Sequence, residues 1–123
     1  MNKTIAIDFD GVISDYRGWK GKGNFAPIIP GAKDRINSLF EEGWTIIIHT
    51  TRSETDLVAR FLSANGVKFN HINKNPENEK LGLSREKPIA DVYLDDRAIR
   101  FLGSWDENLM KEIKESQPHW RKK

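Results

Sequence analysis

The sequence predicts a three-layer α/β fold built on a parallel sheet, with helices on both faces and no separate cap domain. Apolar, β-branched runs alternate with stretches of helical periodicity in a βαβαβ rhythm, which calls for right-handed crossovers. The strand runs are nearly continuous in apolar residues, as expected of strands covered on both faces. No internal repeat or low-complexity tract interrupts the pattern.

Thr4 to Phe9 reads as the first strand. Gly31 to Glu42 carries Ile36, Leu39 and Phe40 at helical spacing, and Trp44 to His49 is a second strand. Ser53 to Asn65 follows as a helix whose buried stripe is Leu57, Val58, Phe61 and Leu62. Ser53 stands where a cap belongs, Asp56 where a capping box places an acid, and Gly66 where a helix ends. Val67 to Ile72 is a third strand, Ala90 to Leu94 a fourth, and Trp105 to Glu115 a last helix, ended by Pro118. Two connections break the rhythm. Tyr16 to Pro30 holds Gly18, Gly21 and Gly23, and Asn73 to Pro88 is polar, with Asn73, Asn75, Pro76 and Asn78. Long connections in a compact domain tend to be functional, and ligands of open α/β sheets sit at the carboxyl ends of the strands.

The chain has 123 residues, which suits one domain over 1–123 with a flap at about 13–25. With 37% hydrophobic and 31% charged residues it reads as an ordinary soluble globule, and a net charge of +2 does not mark a nucleic-acid binder. Two basic clusters, Arg17, Lys20 and Lys22 in the flap and Arg121, Lys122 and Lys123 at the end, read first as solvated surface. There is no cysteine, which excludes disulfides and thiolate metal sites. A strand begins within a few residues of Met1 and no apolar run approaches membrane-spanning length, so a cytoplasmic location without membrane contact is expected.

The chemistry concentrates where strands end. The first delivers Asp8-Phe9-Asp10-Gly11, the second His49-Thr50-Thr51-Arg52, the fourth Asp95-Asp96-Arg97, and Lys87 stands just before the fourth. Adjacent buried carboxylates repel, so a cation or a proton must offset them. A hard divalent cation such as Mg²⁺ prefers oxygen ligands, which Asp8 and one or both of Asp95 and Asp96 can supply together with a phosphate oxygen. Thr50 can donate to a phosphoryl oxygen, Gly11 permits close backbone approach, and Lys87 can relieve anionic repulsion. Asp10 is placed for general acid–base work. Thr51 is the lesser candidate beside Thr50, since Thr50 holds the last inward position of the strand.

These four motifs, in this order along nearly the whole chain, resemble the haloacid dehalogenase (HAD) superfamily. The segment from Ser84-Arg85 through Lys87 to Asp95-Asp96-Arg97 is similar to small capless members found in bacteria and phages. The resemblance implies a Rossmann-like, HAD-type domain and a Mg²⁺-dependent phosphatase in which Asp8 forms an aspartyl-phosphate. It makes Asp10 the acid/base, with its backbone carbonyl on the metal, and Thr50 and Lys87 the phosphate-binding pair. Asp95 and Asp96 become the second acidic motif, Asp95 the closer to the metal and Asp96 its support. Dehalogenases of the family lack the second Asp and its ATP-driven pumps carry Thr there, so Asp10 favours phosphatase or phosphotransferase chemistry. Capless members act on large substrates or borrow a lid from another subunit, so an oligomer is one expectation.

For substrate contact, Trp19 and Phe25 suit stacking on a base or sugar, Lys20 and Lys22 suit phosphate, and anchoring of the flap is the alternative for both rings. Arg52 reads as a substrate contact or, more readily, as the partner of an acid. His49 and His71 read as core histidines, His119 as tail, and Trp44, Trp105 and Trp120 as packing groups. The expected partner is a phosphorylated small molecule or nucleotide. A nucleic-acid end phosphatase is motivated by the basic flap and tail. A receiver-like phospho-accepting domain fits less well, because its acceptor Asp and lysine come in a different order along the chain.

Overall fold

The computed structural model describes residues 3–121 of the chain, so Lys122 and Lys123 of the basic tail lie outside the described residues. In chain order the elements are β1 (Thr4–Asp8), α1 (Ala32–Glu41), β2 (Thr45–His49), α2 (Thr55–Ala64), β3 (His71–Ile72), α3 (Pro76–Lys80), β4 (Val92–Leu94) and α4 (Glu107–Glu115). The four strands form one sheet in the order β3-β2-β1-β4, parallel throughout. This is the capless three-layer α/β, Rossmann-like architecture that the alternation predicts.

The sheet centre explains the composition of its strands. The three middle residues of β1 and of β2 are buried on both faces, and β-branched Ile fills most of those places. Ile5, Ile7, Ile46 and Ile48 join Ile36 of α1 and Val58 and Leu62 of α2 in one core. Burial of each such side chain contributes about 1.5–3 kcal/mol. Phe9 continues that core past the end of β1, with its ring edge-on to Phe25 and Phe61.

Several elements differ from the sequence expectation. The third strand shrinks to two residues, because the chain before it bonds elsewhere: Val67 N–H donates to the Leu62 carbonyl and Lys68 N–H to the Asn37 side chain. β4 begins at Val92 rather than Ala90. Ser53 does not cap α2; Glu54 occupies the cap position, and its carboxylate serves Arg52 and the Gly23 N–H. The polar connection after β3 holds α3, which begins with Pro76 and is capped by the Asn75 side chain accepting from Glu77 N–H. α4 starts at Glu107 under an Asp106 cap, leaving Trp105 76% exposed with its ring beside that of Phe101, so Trp105 is not a packing group.

Among the described residues no helix is long and apolar enough to cross a membrane.

Candidate active site

Parallel order brings the functional strand ends to one edge of the sheet. β1 lies between β2 and β4, with Asp8 opposite His49 and Ile7 opposite Leu94, so Asp95 follows β4 beside Asp8. A cavity of about 370 Å³ opens there, and its walls include Asp8, Asp10, Thr50, Thr51, Arg52, Asp95 and Asp96. Asp8, Asp95 and Asp96 each offer a carboxylate oxygen, and the three oxygens lie within 4.8 Å of one another.

Each acid is held by a different device. Asp8 Oδ1 accepts from the Phe9 N–H at 2.8 Å. Asp95 Oδ1 accepts from the Arg97 N–H at 2.7 Å. Asp96 Oδ2 accepts from the Trp120 indole Nε1–H at 2.6 Å, while its Oδ1 is buried with no hydrogen-bond partner. Burial, then the neighbouring Asp96 and Asp95 carboxyls, push Asp8 up to about 8 against the opposing Phe9 N–H. A crowded all-oxygen trio with one partnerless buried oxygen is the donor set of a hard divalent cation, so Mg²⁺ fits these residues.

Asp10 stands apart from that trio. Arg52 grips it with two donors, Nε on Oδ2 at 2.7 Å and Nη2 on Oδ1 at 3.0 Å. The same guanidinium donates to Glu54 through Nη1 at 3.0 Å and to the flap carbonyl of Asn24 at 3.4 Å. Its carbon lies 4.7 Å from the Phe25 ring centroid and 4.9 Å from that of Trp19. Burial alone would lower the Arg52 pKa, but Asp10 and Glu54 raise it above the ordinary value. Arg52 is therefore the acid's partner and the anchor of the flap. Phe25 also belongs to that anchor, whereas Trp19 is 59% exposed and lines the cavity.

Thr50 is positioned by a residue that the sequence marks only as loop. Asn73 accepts from Thr50 N–H at 2.8 Å and returns a donor to the Thr50 carbonyl at 2.9 Å. It does so with φ of 59°, a left-handed conformation that Asn tolerates better than most residues. Thr50 Oγ1 in turn accepts from the Arg52 N–H at 3.1 Å.

Three expected site residues lie elsewhere. Lys87 is not in the cavity wall: its Nζ lies over the Tyr93 ring, 5.2 Å from the centroid. It precedes β4, whose amino end enters the sheet away from the cavity, where Asp91 N–H meets the Thr4 carbonyl. Gly11 is also outside the wall. Its φ of +85° favours glycine, and a Cβ would fall 2.3 Å from Asp96 Oδ2 and 2.7 Å from Trp120 Nε1, so its lack of a side chain makes room for those two groups. Lys20 lines a separate hollow inside the flap.

Other wall residues were not foreseen as site groups: Tyr16, His49, Glu54, Arg97 and Trp120. Arg97 is the lining cation that forms no salt bridge among the described residues. His119 is more than tail, since its Nε2 donates to the Gly11 carbonyl at 2.5 Å. Pro118 after α4 was the local sign of a change in direction, but nothing local reveals where the chain then goes.

No family model matches the chain, and no curated protein matches it. A solved structure of a conserved protein from Bacteroides thetaiotaomicron is similar to it, with a TM-score of 0.67 and 29% identity over 93% of this chain and 90% of that one. The likeness extends over nearly the whole fold.

Proposed function

We propose that the chain is a Mg²⁺-dependent phosphomonoester phosphatase of HAD type, working through an aspartyl-phosphate on Asp8. The observation that carries the reading is the Asp8, Asp95 and Asp96 oxygen trio at the carboxyl edge of the sheet, beside Thr50. Asp8, Asp95 and Asp96 would hold the cation, which when bound offsets their repulsion and that of an incoming phosphate. An Asp8 oxygen attacks phosphorus, the P–O bond to the leaving group breaks, and a proton moves from Asp10 to the departing alkoxide. Water then attacks the acyl phosphate, Asp10 takes its proton, and inorganic phosphate leaves with Asp8 restored. Since Arg52 engages both Asp10 oxygens, one of those bonds must loosen when Asp10 carries the proton. Thr50 supplies a donor to the phosphoryl group, and Arg97 supplies the cationic wall expected of Lys87.

Phosphate release from p-nitrophenyl phosphate and from nucleotides, with Mg²⁺ and with EDTA, tests the reading. Activity should require Mg²⁺, and Asp8→Asn should lose at least about a thousandfold in kcat. Undiminished turnover by Asp8→Asn would reject the nucleophile.

A phosphorylated nucleic-acid end is a second substrate reading, favoured by Arg97 and Arg121 stacked on Trp120, which lines the cavity with Arg97. It predicts faster turnover of a phosphorylated oligonucleotide than of the free nucleotide, with a steep loss as salt rises.

A further inference from the structure

We propose that Trp120, contributed by the segment after α4, is a positioning residue that fixes the Asp96 carboxylate for the cation; this rests on the cation reading above. The terminal carboxylate torsion of Asp is broad and weakly restrained, so a ligand on such a side chain needs an outside donor to set its plane. Trp120 Nε1–H is that donor, at 2.6 Å from Asp96 Oδ2. With Oδ2 engaged, the buried Oδ1 is the oxygen left without a partner.

The indole is itself held from several sides. Tyr16 meets it edge-on with centroids 4.8 Å apart. The Arg97 and Arg121 guanidinium carbons lie 5.6 and 5.2 Å from its ring. Next to it in sequence, His119 is tied to the Gly11 carbonyl, and Arg121 N–H closes a turn on the Pro118 carbonyl. Gly11 leaves the space in which Nε1 and Oδ2 meet, since a Cβ there would overlap both. A tryptophan present only for packing would need neither the Nε1–H contact to Asp96 nor the space that Gly11 leaves for it. A capless sheet thus completes its acid cluster with a side chain from the far end of the chain.

The test is titration with Mg²⁺ alone, by calorimetry and by the Mg²⁺-dependent rise in thermal unfolding midpoint, in the wild type and in Trp120→Phe. A second protein carries benzothienylalanine at position 120, introduced by semisynthesis; it keeps the bicyclic ring and removes only the N–H. Both should bind Mg²⁺ about tenfold more weakly and show a smaller Mg²⁺-dependent rise in midpoint. Saturating Mg²⁺ should restore most of kcat, a rescue that mere loss of packing would not give. Wild-type or tighter affinity in the isostere overturns the positioning role while leaving the cation site standing. Absence of Mg²⁺ binding by the wild type overturns both.

Discussion

Arg52 illustrates how one side chain can join the candidate site to the flap. Its guanidinium is buried and shared between Asp10, Glu54 and the flap, and two aromatic rings bracket it. Removing one partner from a buried ionic group leaves the others uncompensated, which costs more than the pair contributes. Arg52→Met should therefore cost about 3 kcal/mol, seen as a lower urea midpoint. An unchanged midpoint would mean that Asp10 and Glu54 find water or other donors. At this scale the sequence was partly legible. Asp8, Asp95, Asp96 and Thr50 could be placed because each directly ends or follows a parallel strand, and parallel strands end together. Lys87 could not, because it stands on the entering side of β4 and its side chain has Tyr93 to cover. Trp120 was hidden for a different reason: its partner Asp96 is 24 residues away and no periodicity links them.

Among the elements, α3 and the connection behind it show how irregular chain is kept in place. Asn78 is buried and makes three backbone contacts: its amide donates to the carbonyls of Ser84 and Lys87, and its oxygen accepts from Ile89 N–H. Asn75 caps the helix and donates to the Ile89 carbonyl. These two asparagines stand in for a strand ladder over 84–89. Asn78→Ala would leave three part-buried backbone groups without their partner, so a loss of about 2 kcal/mol is expected in denaturant unfolding. A loss below about 0.5 kcal/mol would show that the segment repacks without its hub. The sequence marked this stretch only as a polar connection containing Asn75 and Pro76, and a five-residue helix carries too little periodicity to be read beyond that. β3 was overread for the opposite reason, since Val67 to Phe69 is β-favouring in composition but spends its N–H groups on α2 and Asn37.

For the whole molecule, the acid cluster ties stability to pH, and under the proposed cation reading to metal, with a sign opposite to that of Glu54. Asp8 is raised from 3.8 to about 8, chiefly by burial and then by Asp96 and Asp95. Between those values the folded chain binds a proton that the unfolded chain has released. Stability from this group is therefore full below about pH 4 and is lost as pH rises through about 8. Glu54 works with the opposite sign: burial opposes ionisation, but backbone N–H groups, including that of Gly23, and Arg52 hold it below its ordinary value. Its contribution is present near neutrality and disappears in acid. A cation at Asp8, Asp95 and Asp96 would take the place of the Asp8 proton, so binding near pH 7 should release about one proton and tighten as pH approaches 8. In EDTA, the unfolding midpoint of the wild type should fall from pH 5 to pH 8 relative to Asp8→Asn, which lacks the titrating group. Saturating Mg²⁺ should flatten that decline in the wild type and do much less for the variant. If the two proteins follow parallel pH curves in EDTA, Asp8 is not the group that carries the proton. If their response to Mg²⁺ is also the same, the trio is not where the cation binds.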